Sequence, residues 1–180
     1  MIKLSEGAQA VYKKYGRGLI YRPEVGAMQL CMDNKVARKL LAEHKAELQE
    51  IKAFLKAQCE EKQAASKLRA DKRASIPGLK ELTDARKAMA NYREAYNRAW
   101  ERGDGRLPAC PNIDLDALAQ QFPRAAALLK AEAWAEADND AKAAAGKAAA
   151  DAIINGDDYT DAIGTMEQAW ATYYDNRIFD

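Results

Sequence analysis

Along most of this chain the apolar residues recur every three or four positions, the spacing of helices that each bury one face. SEGAQAVYKKYG predicts a short first helix, with Ser5 as its cap, Gly16 at its end, and Ala8, Val11, Tyr12 and Tyr15 on one side. YGRGLIYRPEVGAMQLCM breaks the pattern with glycine, proline and β-branched residues, and reads as a loop with a short hairpin around Pro23-Glu24. From Asp33, a plausible N-cap, one long helix is expected to run to Ser75, about 65 Å, before Ile76-Pro77-Gly78 breaks it. Its stripe is Leu41, His44, Leu48, Ile51 and Leu55, widened by Val36, Leu40 and Phe54. That alternation is a coiled-coil-like seam facing another helix.

The next periodic segment carries Leu82, Ala85, Met89, Tyr92, Tyr96 and Ala99, and the short break before it predicts antiparallel packing on the long helix. Gly103-Asp104-Gly105, Pro108 and Pro111 mark a linker. Asp114 then caps a short helix, LDALAQQF, that stops before Pro123. Residues 123–155 read as a single alanine-dense helix whose stripe, Trp134, Ala137, Ala141, Ala145, Ala148 and Ala152, admits a neighbour at close range. Asn155-Gly156-Asp157-Asp158 is a stop and start signal. The last helix places Tyr159, Ile163, Met166, Trp170 and Tyr173 on one face, large residues complementary to the alanines. The expected fold is an all-α bundle of five or six helices with one long helix partly projecting. Residues 1–102 form a basic helical hairpin region and residues 112–180 an acidic, alanine-rich one, joined by a linker at 103–111 and packed as one domain.

Charge sharpens this division. The formal net charge is only +1, yet residues 1–102 hold 22 Lys/Arg against 13 Asp/Glu, while residues 103–180 hold 6 against 14. Such a split serves either a partner or the mutual attraction of the two halves. Cys31, Cys59 and Cys110 are far apart and odd in number, which suits reduced thiols in a cytoplasmic protein. The opening MIKLSEGAQ has no apolar core of a signal peptide, and no run of about 18 apolar residues predicts a membrane span.

Candidate chemistry is sparse. His44 is the only histidine and sits on the predicted seam between Leu41 and Leu48, where it reads as a packed, satisfied side chain rather than a catalyst. Glu47 completes H-x-x-E, but a di-iron bundle needs two such motifs, and the cysteines lack zinc spacing. Asp138-Asn139-Asp140 opens like a calcium loop that Lys142 and the following alanines spoil. Gly16-Arg17-Gly18 lacks the third glycine of a phosphate cradle. Asp157, Asp158 and Asp161 read as caps and dipole partners of the last helix. No catalytic residue, metal site or cofactor is assigned.

Two charged faces remain. Glu132, Glu136 and Asp140 recur every four residues and form an acidic helical face, able to imitate nucleic acid before a basic groove. In EEKQAASKLRADKRAS (residues 60–75) the apolar stripe fades to Leu68, while Lys62, Lys67, Arg69, Lys72 and Arg73 fall within twelve residues. If the hairpin forms, Arg86 and Arg93 extend this patch, with Lys87 and Arg98 beside them. Glu60, Glu61 and Asp71 dilute it, and no aromatic platform is interleaved with it. Lys62, Lys67, Arg69 and Arg73 are expected to be largely exposed, and finding them paired and buried against the acidic half would overturn the argument for a partner.

Two stretches, YRPEVGAMQL (residues 21–30) and AAAGKAAADAIINGDDYTDAIGTMEQAW (residues 143–170), resemble small helical proteins encoded by phages and integrative elements of gut Firmicutes. Together they cover about a fifth of the chain and carry no chemically specific motif. The resemblance implies an inhibitor of a bacterial defence system, of which anti-CRISPR proteins are one kind, that binds a nuclease complex and blocks its channel or a moving part. It transfers no site residue. The expected function is therefore non-enzymatic binding to a bacterial protein or protein–nucleic-acid complex through charged helical faces. The alternative is direct DNA or RNA binding by the basic hairpin. No membrane partner is expected, and homodimerisation stays open.

Overall fold

The computed structural model describes residues 3–103 and 105–178; Met1, Ile2, Asp104 of the predicted linker, Phe179 and Asp180 lie outside the described residues. The chain is mostly helical, with eight α-helices among the described residues rather than five or six, and a small two-stranded sheet. It divides into two compact units, Met1–Leu68 and Arg69–Asp180, so the linker predicted at 103–111 falls inside the second.

In the first unit, α1 (Glu6–Tyr15) begins at Ser5, whose hydroxyl accepts the Ala8 N–H. A 3₁₀ turn at Gly16–Gly18 leads into β1 (Leu19–Arg22), which pairs antiparallel with β2 (Ala27–Leu30) around the turn that Pro23-Glu24 predicts. Helices α2 (Asn34–Glu43) and α3 (Lys45–Ala74) follow. The single helix expected from Asp33 is thus broken at His44, whose backbone leaves the helical region at φ −130°, ψ 37°. The break changes which leucine reaches the core. On a continuous helix Leu41 lies about 20° from Leu48 and Leu40 about 80° away. In the structure Leu40 is 2% exposed and Leu41 is 51% exposed. His44 is therefore a junction residue, not a seam residue, half-buried with its Nδ1 3.8 Å from Glu47 Oε1. The core of this unit is Ala8, Val11, Leu19, Leu40, Leu48 and Ile51, fringed by Tyr12, Tyr15 and Leu55. Glu50 of α3 ties α1 to it by accepting from the Ser5 amide at 2.5 Å and the Ser5 hydroxyl at 2.6 Å.

The second unit begins with the last turns of α3. Gly78, in the left-handed region at φ 73°, starts α4 (Leu79–Glu101), and the Phe122 ring fills the space a side chain there would need. α4 packs on α5 (Leu115–Gln121) and α6 (Pro123–Ala135), which take the place of the antiparallel partner predicted in the long helix. The alanine-dense segment is not one helix. α6 ends at Ala135, the chain turns, and the Asn139 side chain caps α7 (Asp140–Asn155) by accepting the Lys142 N–H. The cap wins over alanine's helix propensity because the two halves then bury each other: Ala125, Leu128 and Ala131 meet Ala149, Ala150 and Ile153 in one core. Gly146 permits this approach, since a β-carbon there would stand 2.7 Å from the Ala131 carbonyl oxygen and the Trp134 carbonyl carbon. Asp158 caps α8 (Tyr159–Ile178), accepting from the Thr160 and Asp161 amides, and Met166 closes the core.

Candidate functional site

The basic stretch predicted as a partner surface is the C-terminal part of α3, and residues 60–72 are exposed without interruption. Its cations divide into two groups. Lys62 and Lys67 are exposed and have no ion-pair partner among the described residues. Arg69, Lys72 and Arg73 are engaged by the acidic part of the chain. Arg69 bonds Asp151 of α7 at 2.8 and 2.9 Å, and the Lys72 ammonium donates to the Asn155 side-chain oxygen at 3.1 Å. Arg73 meets Glu132 of α6 in a two-bond fork, Nε to Oε1 at 2.6 Å and the terminal nitrogen to Oε2 at 2.8 Å. Lys62, Lys67 and Arg69 are exposed as expected and Arg73 is not, while Arg69 and Arg73 are both paired with the acidic part of the chain, which counts against them as partner-binding residues. Arg73 is only half-exposed, and its hydrogen bonds to Glu132 raise the guanidinium pKa further by favouring the charged form.

The predicted acidic face is likewise rearranged. Glu132 lies on α6, Glu136 caps its end, and Asp140 opens α7, so the turn at 136–139 separates residues that one straight helix would align. Glu136 and Lys147 join Arg69, Arg73, Glu132 and Asp151 around a charged cleft of about 590 Å³. Within it each arginine has an opposite partner, which makes the cleft a clamp on the end of α3. Asp151 and Asn155 carry no signal in the sequence that marks them as partners, because the pairing depends on a chain turn at 136–139 that alanine-rich periodicity hides.

Arg86 and Arg93 on α4 are exposed and unpaired among the described residues. Arg98, expected beside that patch, bonds Glu94 one turn earlier on its own helix. Lys142 of α7 lies over the indole rings of Trp134 and Trp170, 4.9 and 5.7 Å from their centroids, in a cation–π contact.

The engaged arginines leave the opposite side of α3 free. Measured from Leu68, Arg69 and Arg73 project about 100° and 140° away, while Glu61, Ala64, Asp71 and Lys72 lie within about 60°. Leu68 is 58% exposed at the centre of that face, between carboxylates and an ammonium. Among the described residues no three histidine, cysteine, aspartate or glutamate side chains group to hold a metal ion, and no helix is long and apolar enough to cross a membrane. Cys31, Cys59 and Cys110 are unbridged. No protein-family model, curated protein or solved structure matches this chain.

Proposed function

We propose that this protein is a non-enzymatic binding protein that presents the Ala64 and Leu68 face of α3 to a bacterial protein, alone or within a nucleoprotein complex. The observation that carries the reading is Leu68, 58% exposed on α3 with Ala64 one turn and Glu61 two turns before it. An exposed apolar side chain offers contact area to a protein and nothing to a phosphate. Phosphate recognition favours a run of unopposed cations, and Glu61 and Asp71 oppose it. A cytoplasmic inhibitor of a bacterial defence complex, encoded by a mobile element, is the form of this function that the two resembling stretches suggest.

The test is affinity capture from bacterial lysate, with and without nuclease, over rising salt. The proposal expects one complex to survive nuclease treatment and to be lost when Leu68 is replaced in Leu68→Asp. Capture of nucleic acid alone, released steeply by salt, would instead assign direct phosphate binding.

A further inference from the structure

Between α4, α6 and α8 a groove of about 620 Å³ opens to solvent, within the range that holds small organic ligands. Ala126, Ala127, Leu129, Trp134 and Ile163 give it an apolar lining. Those three large side chains are only half-buried, at the fringe of the second core, so the groove keeps apolar surface facing water.

Two cations border it, and they are not equivalent. The Lys130 ammonium is taken by Glu167 of α8 at 2.5 Å. Arg86 is exposed and has no partner among the described residues. One uncompensated positive charge therefore stands beside an apolar trough. The trough follows α6 from Ala126 to Trp134, about 12 Å along the axis, or two helical turns.

We propose that this groove binds a small amphiphilic carboxylate, with its hydrocarbon chain over Ala126 and Ala127 and its carboxylate forked on Arg86. The fork geometry of guanidinium and carboxylate fixes the orientation. A neutral apolar ligand leaves Arg86 unused, and a second anionic group would have to displace Glu167 from Lys130. This site is independent of the α3 face.

Dodecanoate, kept below its aggregation concentration, is the probe, followed by calorimetry and by tryptophan fluorescence. Saturable one-to-one binding is expected, with a fluorescence change that Trp134→Phe removes. Arg86→Gln should weaken it about tenfold or more, the loss of a charged hydrogen-bond pair. Arg86→Glu should reverse the preference toward dodecylammonium. Ala133→Trp, a change at an exposed position lining the groove, should block binding while circular dichroism stays unchanged. No saturable binding, equal affinity for dodecanol, or binding indifferent to both Arg86→Gln and Ala133→Trp would overturn the proposal.

Discussion

Both units bury large side chains, Ile51 in the first and Leu82, Leu128, Ile153 and Met166 in the second, and they differ in how closely their helices meet. The first packs helices against a two-stranded hairpin, whose irregular surface is filled by large side chains such as Leu19, Leu40, Leu48 and Ile51. The second folds α6 and α7 together at such short range that Ala125, Ala131, Ala149 and Ala150 form much of the contact, with Gly146 where the backbones come closest. Large side chains supply burial where backbones stand apart, and small ones supply it by removing the space. The α6–α7 contact of the second core should be sensitive to enlargement, whereas truncation should be costly in both, since Leu82, Leu128, Ile153 and Met166 of the second are as fully buried as Ile51 of the first.

The largest effect is expected from Ile51→Ala, which empties a fully buried site in the first unit and should cost about 2–5 kcal/mol in denaturant unfolding. In the second unit the complementary change is Gly146→Ala. Helix propensity alone favours alanine by about 1 kcal/mol, but the new β-carbon meets α6 backbone that is not free to yield, an overpacking cost of about 1–3 kcal/mol. A net loss of stability is expected, and a gain would mean that the α6–α7 contact is looser than described. Smaller still is Arg73→Ala. Its fork to Glu132 is half-exposed, which limits the loss to about 1 kcal/mol, and Glu132→Ala should cost no more on the Arg73→Ala background than its packing alone.

The smallest expected effects are pH-dependent, and each unit contains one. The Ser5 hydroxyl and then its amide lower the Glu50 pKa, while the Asp161 and Thr160 amides lower that of Asp158. Both carboxylates are harder to protonate folded than unfolded. Their contributions are complete above the unfolded value of about 4 and are lost as pH falls through the lower folded values. Glu50→Gln and Asp158→Asn should each lower the neutral plateau and flatten the acid limb by the same amount, leaving stability at the lowest pH nearly unchanged.

Much of the fold was legible in local signals. Ser5, Asp33, Asp114 and Asp158 each cap a helix as their positions announce, and the turns at Pro23-Glu24 and Asn155-Gly156 fall where turn chemistry places them. Two helix breaks were not legible, for different reasons. His44 interrupts a pattern that fits a continuous helix, because only the first unit's core decides that Leu40 rather than Leu41 turns inward. Asp138-Asn139-Asp140 has the opening of a calcium loop in its sequence, yet its use is to end one alanine helix and cap the next. Alanine is helical on either side of such a turn, so periodicity carries no warning. The candidate site was legible as a charged stretch, whereas the division of its cations follows from where that turn places Glu132 and Asp151.

The measurement that tests the account most directly compares two variants in the same capture experiment. One is Leu68→Asp, and the other is the charge swap Arg73→Glu with Glu132→Arg, which keeps an ion pair while reversing its sense. The account predicts that the swapped protein still retains the nuclease-resistant partner and that Leu68→Asp loses it. Loss on charge swapping with full retention in Leu68→Asp would contradict it, and would make the arginine side of α3 the surface that meets the partner.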